Sequence, residues 1–154
     1  MSSIAVFVAG TVSAVVMLLI ALAFGEASAG IYASQPEIWK PMTSLWYIGM
    51  IFLYLLVGLV YALVYSVLGK GIKGRAVDKG LLFGALAWFI GPLTYVLLIH
   101  LTMAIDTAMI IMWLLQGLLN SLAGGVSAAV VFEMLHRGNG NGDKNLRSGR
   151  KRAR

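Results

Sequence analysis

Four long apolar runs constrain the fold of this chain more than any other feature. They cover about residues 4–24, 44–68, 80–101 and 107–135, and their only Asp, Glu, Lys or Arg is Glu133, near the end of the last run. At about 1.5 Å per residue, a helix over each run is long enough to cross a hydrocarbon core of roughly 30 Å. We therefore predict an all-α polytopic membrane protein whose four transmembrane helices form an antiparallel bundle.

The composition favours the same class. Hydrophobic residues make up 60% of the 154 residues and charged residues 12%, whereas soluble domains contain roughly half and a quarter. A cleavable signal peptide is the competing interpretation of the first run, because Ala27-Ser28-Ala29 resembles a cleavage site. The length of that run, and the lack of a Lys or Arg before it, favour a retained helix.

The basic residues predict how the helices are oriented. Of the twelve Lys and Arg residues, four lie in the loop at 70–79 and seven in the last eighteen positions. Because Lys and Arg near membrane-spanning segments stay on the cytoplasmic side, we predict a cytoplasmic (inner) membrane protein with both termini inside. The longest connection, about 25–43, would then be a non-cytoplasmic interfacial turn, and the short one near 102–106 would join two antiparallel helices.

The same basic residues divide the chain into two parts and indicate a partner. We assign residues 1–137 to the transmembrane domain and the Gly-rich, basic residues 138–154 to a flexible cytoplasmic tail. Nucleic acid is not expected as a partner, since the charge flanks the membrane segments. The residues expected to contact anionic lipid are Lys70, Lys73, Arg75, Lys79, Arg147, Arg150, Lys151, Arg152 and Arg154. Glu133 and Arg137 have the spacing of an i,i+4 ion pair.

Small residues recur at helical spacing and predict close helix packing. The positions that we assign to packing are Gly58, Ala62, Ser66, Gly84, Gly117, Gly124 and Gly125. A further patch, Ala9 to Ala14, lies on the first helix. We expect the small residues of the last helix to pack against either the Gly58–Ser66 seam or the Gly84 face.

Polar side chains inside the runs are the candidate functional residues. They are Gln116, Asn120, Ser121 and Tyr61. They are candidates for a polar pathway or a substrate contact, although hydrogen bonds between helices are the more frequent use of such residues. Gly91 and Pro92 predict a kink in the third helix, because proline cannot donate a hydrogen bond to the carbonyl of Trp88. A neighbour's hydroxyl is a candidate donor to that carbonyl.

Enzymatic chemistry and cofactors are not predicted. The chain has no Cys, and it contains no nucleophile elbow, no metalloprotease motif and no phosphate loop. The two His residues fall at opposite ends of the bundle and cannot ligate one haem together. His100, Met103 and Asp106 are weak candidates for a metal site at the outer rim, against ordinary solvation at an interface.

Three segments carry a resemblance to known proteins: AGTVSAVVMLL at 9–19, VGLVYALVYSVLG at 57–69 and KGLLFGALAW at 79–88. With these glycine and aromatic positions, the chain resembles small four-helix integral membrane proteins of bacteria and archaea, which form families of unknown function. The resemblance implies a four-helix inner-membrane protein and supplies no catalytic or binding residues.

Three functional hypotheses follow from these patterns. The leading one is a non-enzymatic protein that acts through helix packing, as a homo-oligomer or an accessory subunit of a larger membrane complex. The second is a small transporter or channel for a neutral or weakly polar solute, which would use Gln116, Asn120, Tyr61 and the Gly91–Pro92 kink. The third is a lipid- or RNA-tethering protein that acts through its basic tail.

Overall fold

The computed structural model describes residues 3–34, 36, 39 and 42–152, with side chains through 136. In chain order, its elements are α1 (Ser3–Ala27), α2 (Ala29–Ala33), α3 (Ser44–Leu68), α4 (Ala76–Trp88), a π-helical segment (Phe89–Leu93), α5 (Thr94–Thr102) and α6 (Thr107–Arg152). Among these described residues, four helical stretches are long and apolar enough to cross a membrane: Ser3–Ala27, Ser44–Leu68, Ala76–Thr102 and Thr107–His136. The predicted all-α fold with four spanning helices is confirmed.

Local hydrogen bonds determine where the helices begin. The side chain of Thr43 accepts from the backbone N–H of Trp46, which caps the start of α3 at the predicted residue. The third crossing begins at Ala76, earlier than the predicted residue 80. The reason is that the backbone N–H of Arg75 donates to Asp78 Oδ2 over 3.2 Å, so the carboxylate caps the first turn. Asp78 and Lys79 therefore belong to α4 and not to the loop.

The connection that was predicted to be a non-cytoplasmic turn is partly helical. Backbone N–H groups of Ile31 and Tyr32 donate to the carbonyl of Ser28 and form the short helix α2. The predicted interfacial turn contained no helix at this place. Residues 35, 37, 38, 40 and 41 of that turn lie outside the described part of the chain.

The last helix is the centre of the bundle. α6 packs against α1, α3 and α4, and α1 also packs along α3. The predicted hairpin of the third and fourth crossings is therefore present, with α4 lying against α6. Large apolar side chains on the outward faces of all four crossings are exposed, as expected where lipid, and not water, surrounds a helix.

Glycines allow these helices to approach to backbone contact. A Cβ added to Gly84 would lie 2.8 Å from Cα of Leu122, and one added to Gly80 would lie 2.5 Å from Cα of Val126. Of the two packing alternatives for the last helix, the structure therefore contains the one with the Gly84 face. The Gly58–Ser66 seam instead faces α1, where Gly58 lies against Gly10 and Ala14.

The third crossing is interrupted by a π-helical segment at Gly91 and Pro92. In a π-helix each carbonyl pairs five residues ahead, so Leu93 can donate to Trp88 where the proline cannot. The hydroxyl of Thr94 donates to the carbonyl of Phe89 over 3.0 Å. Thr94 belongs to the same crossing and reaches Phe89, so a neighbour's hydroxyl at the carbonyl of Trp88 stays a prediction.

The last helix extends beyond its predicted end near 135. Its backbone is helical to Arg152, and no proline follows Pro92 to remove a backbone donor. The basic side chains from Arg137 onward lie outside the described residues. The division into a transmembrane domain and a separate flexible tail stays a prediction.

Candidate binding site

Hydroxyl groups join the helices in the middle of the bundle. Tyr61 on α3 donates to Ser121 Oγ on α6 over 3.1 Å. Ser127 on α6 donates to Ser13 Oγ on α1 over 3.1 Å, and Ser13 donates to the carbonyl of Gly124 over 3.2 Å. Tyr61 and Ser121 therefore form hydrogen bonds between helices. Of the two roles predicted for them, this is the structural role and not the contact with a substrate.

The other two polar candidates, Asn120 and Gln116, lie toward the end of the bundle where α6 begins. The Asn120 side chain donates from Nδ2 to the hydroxyl of Tyr54 over 3.3 Å. Its Oδ1 atom is buried and has no hydrogen-bond partner among the described residues. Gln116, one helical turn nearer the outer end, lines a cavity together with Tyr54.

This cavity lies between α1, α2, α3 and α6 and has a volume of about 590 Å³. We call it the outer cavity because it lies at the end of the bundle that is predicted to be non-cytoplasmic. Ligand pockets for drug-sized molecules typically have volumes of about 300–1,000 Å³. Its deep end is near Tyr54, ten residues into α3, which corresponds to about 15 Å along the helix axis, or half of a hydrocarbon core of roughly 30 Å. Its lining includes Gly25, Glu26, Tyr32, Trp39, Met50 and Gln116.

Aromatic side chains form much of the cavity wall. Trp39 packs edge-to-face against Tyr32 and against Trp113, with ring centroids 4.7 and 5.8 Å apart. Trp113 Nε1 in turn donates to the Tyr32 hydroxyl over 3.0 Å. The Trp39 ring nitrogen is buried without a partner among the described residues. These contacts hold three rings in fixed relative positions, so this part of the wall is built before any ligand arrives.

The side chains around Tyr65, at the opposite end of the bundle from the cavity, are closely packed. Tyr65 is 2% exposed and packs edge-to-face against Phe83 of α4 and Phe132 of α6. Below it, Glu133 Oε1 accepts hydrogen bonds from the Tyr65 hydroxyl at 3.0 Å and from Lys79 Nζ at 2.8 Å. The outer cavity therefore ends on packed side chains in the described part of the bundle.

The ion pair between Lys79 and Glu133 adds a contact that the sequence did not predict. The side chains are 19% and 20% exposed, so the Lys79 ammonium is engaged between helices, and its predicted contact with lipid stays a prediction. Glu133 binds a residue of another helix, which its spacing to Arg137 did not indicate. The Glu133–Arg137 pair itself stays a prediction, because the Arg137 side chain lies outside the described residues.

The loop before α4 displays its other cations. Lys70, Lys73 and Arg75 are exposed, and Arg75 Nε lies 3.1 Å from Asp78 Oδ2. Hydrogen bonding to Asp78 raises the pKa of the Arg75 guanidinium. The remaining predicted lipid contacts, Arg147, Arg150, Lys151, Arg152 and Arg154, lie outside the described side chains.

Metal binding by the candidates His100, Met103 and Asp106 stays a prediction. Among the described residues, no group of three His, Cys, Asp or Glu side chains could hold a metal ion. Asp106 Oδ1 accepts from the backbone N–H of Ala108 over 2.7 Å and so caps α6. His100 and Met103 are exposed on the same connection.

Fold and surface together define the class, a multi-pass helical membrane protein. No known protein family, curated protein or solved structure matches the chain. The outer cavity is the feature of the described structure that bears on function. Of its lining, the sequence had indicated Gln116 as a candidate for a substrate contact. Tyr32 and Trp39 could have indicated the cavity from the sequence, since aromatic residues at a membrane boundary also line many binding sites.

Proposed function

We propose that this protein is a non-enzymatic component of the cytoplasmic membrane that binds a small amphipathic organic molecule in its outer cavity. The observation that carries the proposal is the cavity of about 590 Å³, with aromatic walls and the polar side chains Tyr54 and Gln116 at its deep end. Such a lining matches a molecule with an apolar body and a few hydrogen-bonding groups.

The proposed orientation puts the cavity on the non-cytoplasmic side. The exposed cations Lys70, Lys73 and Arg75 lie at the end of the bundle opposite the cavity. Basic residues at membrane boundaries favour the cytoplasmic face. With four crossings, both termini then lie inside, and the ligand enters from the outer aqueous side or from the outer leaflet.

The buried amide supports binding at mid-membrane depth. Asn120 Oδ1 has no partner among the described residues, and an unpaired buried acceptor costs about 1–3 kcal/mol. A donor group on a ligand, or a water carried with it, would remove this cost after a small shift of Tyr54. This is the part of the transporter hypothesis that the cavity supports, whereas the closely packed inner half supports no open channel.

Helix packing between separate subunits has weaker support. The small residues that motivated this hypothesis are used inside one chain: Gly58 against Gly10, Gly84 against the α6 backbone and Gly124 against Met17. Association as a homo-oligomer or an accessory subunit stays a prediction, and we assign no surface of the described residues to it. Tethering through the basic tail also stays a prediction.

A blocked variant tests the proposal. Gly25 lines the cavity, and a Cβ added there meets nothing within 4 Å, so Gly25→Leu should fill the entrance without straining the fold. Gly49→Leu is the matched control, because its Cβ also meets nothing within 4 Å and Gly49 lies outside the cavity lining. The probe is N-phenyl-1-naphthylamine, an uncharged fluorescent amphiphile, added to the protein in dodecyl maltoside micelles.

The proposal expects saturable probe binding above the level of empty micelles. Gly25→Leu should weaken that binding about tenfold or more, since the side chain occupies ligand volume, while Gly49→Leu should bind as the unmodified protein does. Equal binding by the two variants would contradict the proposal.

A further inference from the structure

We infer that the ligand of the outer cavity is an organic cation with a hydrophobic body. This inference rests on the proposed function and adds the sign of the ligand's charge. Glu26, at the end of α1, is the one formally charged side chain among the described residues that line the cavity. The rest of the described lining is apolar, aromatic or neutral, so Glu26 makes the potential negative along this described part of the wall.

The aromatic walls point to the same ligand charge. Tyr32, Trp39 and Tyr54 line the cavity together with Trp46 and Tyr47. The face of an aromatic ring carries negative charge and attracts cations, by about 0.5–2 kcal/mol for each well-placed ring. The same ring faces and the Glu26 carboxylate repel anions.

The chemistry of the site also separates organic from inorganic cations. A metal ion needs several oxygen or nitrogen ligands, and the described residues contain no such group of His, Asp and Glu side chains. An organic cation needs one counter-charge and apolar surface, which are the two things this cavity offers. Its size suits a molecule larger than a simple ammonium ion.

A pair of ions of nearly equal shape and opposite charge tests the inference. Tetraphenylphosphonium and tetraphenylborate are titrated separately against protein-bound N-phenyl-1-naphthylamine in dodecyl maltoside, an uncharged detergent. Glu26→Gln removes the charge and retains the shape. Asp106→Asn is the matched control, since Asp106 is an exposed outer carboxylate away from the cavity and Asn also caps a helix.

We expect tetraphenylphosphonium to displace the probe at a concentration about tenfold or more below that of tetraphenylborate. Glu26→Gln should weaken the cation about fivefold and leave the uncharged probe unaffected, and Asp106→Asn should change neither. Equal displacement by the two ions, or no effect of Glu26→Gln, would overturn the cation inference. The proposed function would survive that result as long as Gly25→Leu blocks the uncharged probe, and loss of that block would overturn both.

Discussion

Replacing Gly84 by alanine should separate α4 from α6. A Cβ at this position would lie 2.8 Å from Leu122 Cα and 2.9 Å from the carbonyl carbon of Ser121. Both are backbone atoms of a helix and cannot rotate away as a side chain does. Removing this steric clash therefore requires the axes of α4 and α6 to move apart.

The expected cost follows from two opposing effects. Overpacking a tight interface costs about 1–3 kcal/mol, and alanine recovers up to about 1 kcal/mol as a better helix former than glycine. We expect Gly84→Ala to lower the free energy of unfolding by about 1–2 kcal/mol. Gly49→Ala is the control, because a Cβ at Gly49 in α3 meets nothing within 4 Å, and it should leave stability unchanged or slightly raised.

Reversible unfolding in mixed dodecyl maltoside and SDS micelles measures the difference. Helix content is followed by circular dichroism. Tryptophan fluorescence adds a local signal, since Trp88 Nε1 on α4 donates to the Leu114 carbonyl on α6 over 3.3 Å. If Gly84→Ala is at least as stable as the unmodified protein while Gly49→Ala behaves as expected, the α4–α6 contact described above is refuted.

Three further predictions concern the bundle and its orientation. A double-mutant cycle of Lys79→Met and Glu133→Gln should give a coupling of about 1–2 kcal/mol in unfolding experiments, because the ion pair is largely buried; additive effects would argue against the pair. Ser13→Ala should lower the free energy of unfolding by about 0.5–1 kcal/mol, typical of hydrogen bonds inside membranes, and no loss would mean that its contact with α6 is unimportant. Single cysteines from Lys73→Cys and Ser34→Cys should react with an impermeant thiol reagent from opposite sides of the membrane, and labelling from one side would reject the topology.

Much of the fold could be predicted because it depends on properties local to each helix. The hydrophobic length of the segments specified four crossings, and the bounds of the second, Ser44–Leu68, agree with the prediction. The packing of α4 on α6 was one of two alternatives, since glycine spacing marks a face but not its partner. That partner depends on the arrangement of all four helices.

The rest depends on contacts between distant parts of the chain. Lys79 and Glu133 are far apart in sequence, and local charge spacing pointed to Arg137 instead. Predicting the π-helical segment would have required knowing where Thr94 lies relative to Pro92. The presence of a proline alone predicts a kink and not this arrangement. The outer cavity forms where four elements fail to fill space, and no periodicity in any one of them records a void.

The accessibility of a single thiol inside the cavity shows whether the cavity is open to the outer face. The chain has no native Cys, so Met50→Cys places one thiol on the cavity wall, and Phe52→Cys places one on the lipid-facing surface of the same helix. The thiolate is the species that attacks a thiol reagent, and it forms in water and not in lipid. We predict that a charged impermeant reagent added outside labels the Met50→Cys protein about tenfold or more faster than the Phe52→Cys protein, and that Gly25→Leu slows the reaction. Equal rates at the two positions, or labelling of Met50→Cys only from the inside, would contradict a cavity open to the outer face.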